Sequence, residues 1–173
     1  MSRYYEFTDF DPERFQYMMQ ELAAAILGPG VTAWGQGADG GRDFSWNGKV
    51  AYPSRADPWN GSGIGQVKFK KPPYDSRKDG TWALQQLRAD LKKLPQPHPD
   101  YYIFSTNIAL TAVKDKGSRD RLEAELQKHS FRGFAIWDLN DIRKFLNRNP
   151  GTQAIYAKYL HPDAPASASA PPS

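Results

Sequence analysis

Residues 63–73 read GIGQVKFKKPP, and the fold turns on how this run is taken. Side chains alternate across a strand, so Ile64, Gln66, Lys68 and Lys70 share one face while Val67 and Phe69 share the other. Pro72 and Pro73 stop the strand, because proline donates no ladder hydrogen bond. With Val67 and Phe69 turned into a core, the opposite face carries an amide and a lysine where neither is expected without a partner. Upstream, residues 39–44 read DGGRDF, and Asp43, on the neighbouring strand, is the obvious partner. Spacing alone leaves two readings open. One is an edge strand with a solvated polar face and a surface ion pair of Asp43 with Lys68, worth under about 1 kcal/mol. The other is a functional site built on these polar side chains.

Outward from this strand the pattern predicts alternating elements. DPERFQYMMQELAAAIL has Asp11 as a cap, Pro12 at the first helical position, and Phe15, Met18, Met19, Leu22 and Ile26 on one face of a helix. GPG ends it, VTAWG reads as a short strand, and RDFSW as a second strand in a meander. YPSRADPWNGSG is expected to be a loop carrying Trp59 and Asn60, and PPYDSRKDG another, carrying Arg77 and Lys78. TWALQQLRADLKKL spaces Leu84, Leu87, Leu91 and Leu94 at helical intervals. YYIFST reads as a buried strand, SRDRLEAELQKH as a helix, GFAIWD as a strand, and LNDIRKFLNRNP and TQAIYAKYL as closing helices. Mixed hairpin and crossover connections predict an α/β fold with a central mixed β-sheet and helices on both faces. The domain is expected to span residues 1–161. Residues 162–173, with only Ala, Ser, Pro and one Asp, read as a flexible tail or linker.

Composition narrows the chemistry. The 173 residues, 39% hydrophobic and 13% aromatic, suffice for one core and are few for two. There is no cysteine, which excludes disulfides, zinc ribbons and thiol catalysis and suits a reducing cytoplasm. The three histidines are scattered, so a histidine-rich metal site is not expected. The acidic N-terminus does not read as a signal peptide, and the longest apolar run, LAAAIL, is too short to span a bilayer. A net charge of +4 permits nucleic-acid binding without demanding it. Residues 35–40, GQGADG, match the spacing of a dinucleotide fingerprint, but a strand-like run follows where that fingerprint needs a helix.

A metal-dependent nuclease reading of that site rests on what phosphodiester hydrolysis requires. A bound Mg²⁺ polarises the phosphate and takes hard oxygen ligands. Asp43 offers a carboxylate, Gln66 an amide oxygen and Val67 its backbone carbonyl. Lys68 is placed to orient the attacking water or to stabilise charge building on the phosphate.

GADGGRD, a following loop with WNG, and the strand GQVKFK together resemble the PD-(D/E)XK nuclease superfamily, in its Mrr-like restriction-endonuclease branch. Residues 101–113 and 134–160 are similar to the N-terminal nuclease domains of bacterial antiphage STAND NTPases of the Avs type. The resemblance covers nearly all of the chain before the tail. It implies a restriction-endonuclease-like core, Mg²⁺-dependent cleavage of double-stranded DNA with Mn²⁺ as a substitute, and catalytic roles for Asp43, Gln66 and Lys68. It also implies a C-terminal NTPase and sensor region as partner, with self-association driven by that region. Two departures stand out. Gln66 occupies a position that is usually acidic in the wider superfamily. Gln16 follows Phe15 where many relatives carry a glutamate, and Glu21 on the same helix is a candidate substitute in catalysis, with a solvated surface role as its alternative. Asp39, before two glycines, reads first as a turn former.

Lys70, Lys71, Arg77, Lys78 and Trp59 are the candidate DNA contacts, the cations binding phosphate without reading sequence. Lys92 and Lys93 extend the basic cluster, with an ordinary solvated surface as the alternative. Trp59 has a second reading as a cap on the core. The alternative to an endonuclease is a catalytically silent nucleic-acid-binding or interaction module with the same fold.

Overall fold

Residues 5–35, 43–113 and 116–162 are described by the computed structural model, and they build three layers, helix on sheet on helix. The sheet comprises β2 (Thr32–Ala33), β3 (Phe44–Pro53), β4 (Pro58–Lys68), β5 (Tyr101–Thr106) and β6 (Gly133–Trp137), in that spatial order. The pairs β2 with β3 and β3 with β4 are antiparallel, whereas β4 with β5 and β5 with β6 are parallel. The expected mixed α/β sheet is therefore present. A separate antiparallel pair joins β1 (Tyr5–Glu6) to β7 (His161–Pro162), and no local sequence pattern announces it.

One face is covered by α1 (Pro12–Leu27), with α4 (Leu139–Arg148) beside it. Asp11 caps α1 by accepting the Arg14 N–H at 2.8 Å, Pro12 opens it, and Gly28 at φ 122° ends it. Phe15, Met18, Met19 and Leu22 are fully buried against Phe44, Trp46, Ile103 and Trp137. Burying each such side chain contributes roughly 1.5–3 kcal/mol. The other face carries the two crossover helices, α2 (Ser76–Leu91) and α3 (Ser118–Gln127). Ala83, Leu84, Leu87, Leu122 and Leu126 pack there on Ile64, Tyr102, Phe104 and Ile136. Helix α5 (Pro150–Ile155) and a 3-10 turn at Ala157–Tyr159 close the chain against the α1 side.

The glycines of β4 have a packing reason. Register places Gly63 opposite Trp46 and Gly65 opposite Phe44. A Cβ on either glycine would lie 2.0 Å from a ring carbon of that partner, so the two rings cover the glycines and complete the α1-facing core. Val67 and Phe69 continue the same face, as alternation predicts.

Three expectations are corrected. β4 is the middle strand of five, so the edge-strand reading of GQVKFK does not hold. The expected loop over residues 52–63 shrinks to residues 54–57, because β3 and β4 form a long hairpin that takes Trp59 and Asn60 into β4. Trp59 is held there by stacking on Tyr101, ring centroids 4.7 Å apart. The loop expected to hold Arg77 and Lys78 ends sooner, and both residues lie in the first turn of α2. Asp75 caps this helix through the Arg77 and Lys78 N–H groups. Gly80, which reads as a loop residue, is instead the point where α2 crosses closest to Ser118 of α3; a Cβ there would lie 2.5 Å from the Ser118 Cβ.

Candidate functional site

The antiparallel ladder between β3 and β4 reaches Phe44 opposite Gly65, one position short of Asp43 and Gln66. The Asp43 N–H still donates to the Gly65 carbonyl at 2.8 Å. Beyond that point the aspartate side chain replaces the backbone, and Oδ2 accepts the Val67 N–H at 2.6 Å. In an antiparallel strand the N–H and C=O of one residue point to the same neighbour. The Val67 carbonyl therefore also points to the side of β4 on which Asp43 sits.

Gln66 and Lys68 lie on the α2 face of β4, in register with Phe104 and Thr106 of β5. Gln66 is 3% exposed, and its Nε2 has no hydrogen-bond partner among the described residues. The Lys68 ammonium lies 3.1 Å from Oδ1 of Asp90, a residue of α2. This replaces the simple Asp43–Lys68 surface pair as the account of the lysine. Asp90 is itself buried, and among the described residues its Oδ2 forms no hydrogen bond and neither does the Tyr102 hydroxyl. Burial raises the Asp90 carboxyl above the usual range, against the pull of Lys68 and Lys93. Burial pushes the Tyr102 hydroxyl well up, and the charges of Asp90 and Asp43 push it further. Both carboxylates are thus within electrostatic reach of one buried phenol. An unpaired buried polar atom costs about 1–3 kcal/mol, and three of them, Gln66 Nε2, Asp90 Oδ2 and Tyr102 Oη, face α2 from this part of the sheet or lie on α2 itself.

Helix α1 reaches the same strand end from the opposite layer. Gln20 Nε2 donates to the carbonyls of Trp34 and Asp43, each at 2.8 Å, and Gln16 Nε2 to Trp34 at 3.2 Å. These bonds fix the backbone on which Asp43 stands. Glu21 is exposed, and its charge is felt at Tyr156 of the closing segment, so the structure brings Gln16 and Gln20, not Glu21, to Asp43.

Past Lys68 the strand is gripped by Asn107, whose side chain accepts the Lys70 N–H at 2.8 Å and donates to the Lys70 carbonyl at 2.9 Å. Lys70 Nζ lies 3.2 Å from Asp79 and donates to the Pro73 carbonyl at 2.8 Å. Lys71, Arg77 and Lys78 are exposed. Tyr74, Asp79, Asn107, Leu139 and Arg143 line a cavity of about 310 Å³ at this edge. Ligands of open α/β sheets bind beyond the carboxyl ends of parallel strands, and Lys68, Lys70 and Asn107 all lie at the carboxyl ends of β4 and β5. Trp59 does not belong to this cluster. It lies nine steps along the strand from Lys68, roughly 30 Å at about 3.3 Å per residue, and its ring packs among Trp46, Tyr52 and Tyr101.

Sequence reasoning singled out Asp43, Gln66 and Lys68, and the structure places all three at one end of β4. It missed Asp90, Asp79 and Gln20. The signal for Asp90 was a carboxylate one turn after Leu87 and beside Leu91, inside an apolar stripe. Asp39 and the run Gln36–Gly40 of the fingerprint lie outside the described residues. Among the described residues no group of three or more His, Cys, Asp or Glu side chains is arranged to hold a metal, and no helix is long and apolar enough to cross a membrane. No family model, curated protein or solved structure matches this chain.

Proposed function

We propose that this chain is a Mg²⁺-dependent endonuclease domain of the PD-(D/E)XK type, hydrolysing phosphodiester bonds of double-stranded DNA. The observation that carries the reading is the convergence at the carboxyl end of β4. There the Asp43 carboxylate binds the Val67 amide while Gln66 and Lys68 stand on the next positions of the same strand. A divalent cation fits this donor set. The Asp43 carboxylate, the Gln66 amide oxygen and the Val67 carbonyl are hard oxygen donors. The Gln66 amide is buried; its oxygen is the atom that would take a cation, and its nitrogen, without a hydrogen-bond partner among the described residues, is a donor left for a phosphate oxygen or water.

When bound, Mg²⁺ supplies Lewis acidity toward the phosphate. The chain's own residues do the rest. Lys68 places an ammonium where negative charge grows on the phosphate. Gln16 and Gln20 hold the Asp43 backbone still, and preorganisation of this kind is what positioning requires. Lys71, Arg77 and Lys78 offer exposed cations to the DNA backbone beside the site. In this reading the domain is the effector of an antiphage defence protein of the cytoplasm, joined through residues 162–173 to an NTPase and sensor region.

One observation favours a second reading, a catalytically silent binding module of the same fold. Lys68 is already engaged by Asp90. Plasmid cleavage separates the two. The wild type should nick or linearise supercoiled plasmid with Mg²⁺ or Mn²⁺ and not with chelator, and Lys68→Ala should abolish cleavage while retaining DNA binding. A wild type that never cleaves with either metal, even when held as a dimer, would leave the silent module.

A further inference from the structure

We infer that Asp90 is a positioning residue for Lys68, holding its ammonium at the Asp43 and Gln66 end of β4 in the geometry the reaction needs. The inference rests on the nuclease reading above and adds to it a residue from a different element. Three observations carry it. The pair itself is close, at 3.1 Å, and largely withdrawn from water, with side-chain exposures of 28% for Lys68 and 11% for Asp90. A long lysine side chain on a strand has many rotamers, and one fixed carboxylate across the layer selects among them. Asp90 also interrupts the apolar stripe of Ala83, Leu84, Leu87 and Leu91 by which α2 binds the sheet. Well-packed apolar residues in place of a buried ion pair commonly serve stability as well or better, so packing does not account for a carboxylate here.

The third observation is incompleteness. Asp90 Oδ2, Gln66 Nε2 and the Tyr102 hydroxyl are all buried and, among the described residues, all without a hydrogen-bond partner. Lys68 holds one oxygen of Asp90, and the second lies among groups that a purely structural network would have satisfied. The charged and titratable groups around Asp90 are Lys68 from β4, Lys93 just past its own helix, and Tyr102 from β5. Of these Lys68 alone forms an ion pair with it among the described residues. Asp90 does not itself touch substrate. It acts through the lysine.

The test uses two readouts that fail independently. Brief acetylation with limiting acetic anhydride, read by peptide mass spectrometry, reports how free the Lys68 amine is. Asp90→Asn should raise Lys68 labelling severalfold, and Asp90→Glu should restore most of the protection. Plasmid cleavage then reports the use of that position. Asp90→Asn should lower the rate at saturating DNA by on the order of 10–100-fold with the DNA concentration for half-maximal rate unchanged, the signature of misplacement and not of lost binding. Asp90→Glu should recover part of that loss. Arg88→Gln, which removes the Arg88–Glu125 pair two residues before Asp90 in α2, should change neither. Unaltered Lys68 labelling in Asp90→Asn overturns the inference whatever the enzyme does. Raised labelling with an undiminished cleavage rate overturns it as well. A wild type that never cleaves, with labelling that still responds, overturns the nuclease reading and leaves Asp90 as the partner of an idle lysine. Should Asp90→Asn fail to fold, the comparison of Asp90→Glu with wild type carries both readouts.

Discussion

Asp43 and Gln66 stand just past the point where the β3–β4 ladder stops, and on the proposed nuclease reading they differ by one charge from an all-acidic site. A unit charge about 4 Å from a cation is worth on the order of 4 kcal/mol at an effective dielectric of about 20. Gln66→Glu should therefore lower the Mg²⁺ concentration needed for half-maximal cleavage, read by metal titration of plasmid cutting. Asp43→Asn should leave no charged ligand and no cleavage; wild-type activity in that variant would dismantle the site. Asp90 makes a prediction of opposite sign for stability. Its folded pKa is raised, chiefly by burial, so its ionised form is disfavoured in the native state and the stability it contributes is lost as pH rises through that pKa. Asn mimics the protonated form. Asp90→Asn should thus melt higher than wild type at pH 7, and the difference should vanish below the ordinary carboxylate range. Thermal melts at both pH values decide it. Faster melting at pH 7 would show that the Lys68 pair outweighs the burial of the charge.

Among the elements, β4 carries the most constraint, because it is sandwiched between strands on both edges and helices on both faces. Gly65 shows how tightly. Its missing side chain is replaced by the Phe44 ring, and that ring is in turn stacked between Trp46 and Trp137 at 6.3 and 6.2 Å. The ring has no direction in which to yield. Gly65→Ala should therefore destabilise the domain by about 1–3 kcal/mol, the usual range for overpacking a core, visible as a lower denaturation midpoint. Gly30→Ala, at a glycine with nothing within 4 Å of the added Cβ, is the matched control and should be near neutral. A Gly65→Ala variant as stable as that control would mean that the aromatic cover is looser than the packing indicates.

For the whole molecule, the relation between copies matters most. On the proposed nuclease reading one site would cut one strand, and the strands of a duplex are antiparallel, so a double-strand break would be most simply made by two copies related by a two-fold axis. The sequence carries no coiled-coil heptads. The isolated domain is expected to be mostly monomeric and to cut poorly at low concentration. Fusion to an unrelated dimer through residues 162–173 should raise linear product steeply by raising the effective concentration of the second site. Plasmid cleavage per active site, free against fused at matched concentration, measures this. Equal rates and an equal ratio of nicked to linear product would show that assembly does not govern cleavage.

Local pattern by itself determined the order of helices and strands from α1 to α5, though not the flanking β1–β7 pair, because the two periodicities and the caps are encoded within a few residues of each other. Asp11 and Pro12 open α1 as read, and the alternation of Val67 and Phe69 against Gln66 and Lys68 settles which side of β4 is polar. Likewise Asp43, Gln66 and Lys68 were legible as a group, since strand alternation and the adjacency of a meander act over short range. Only the tertiary structure decided the rest. Trp59 reads as a loop residue until Trp46 and Tyr101 are seen on either side of it, and Gly80 reads as a break until Ser118 is seen pressing on the helix. Asp90 is a lone carboxylate beside the leucines of α2 in the sequence, and becomes the partner of Lys68 because the crossover from β4 to β5 lays α2 back across the strand it has just left. Contacts between residues more than twenty apart in the chain depend on how layers stack, and no window of local periodicity contains that information.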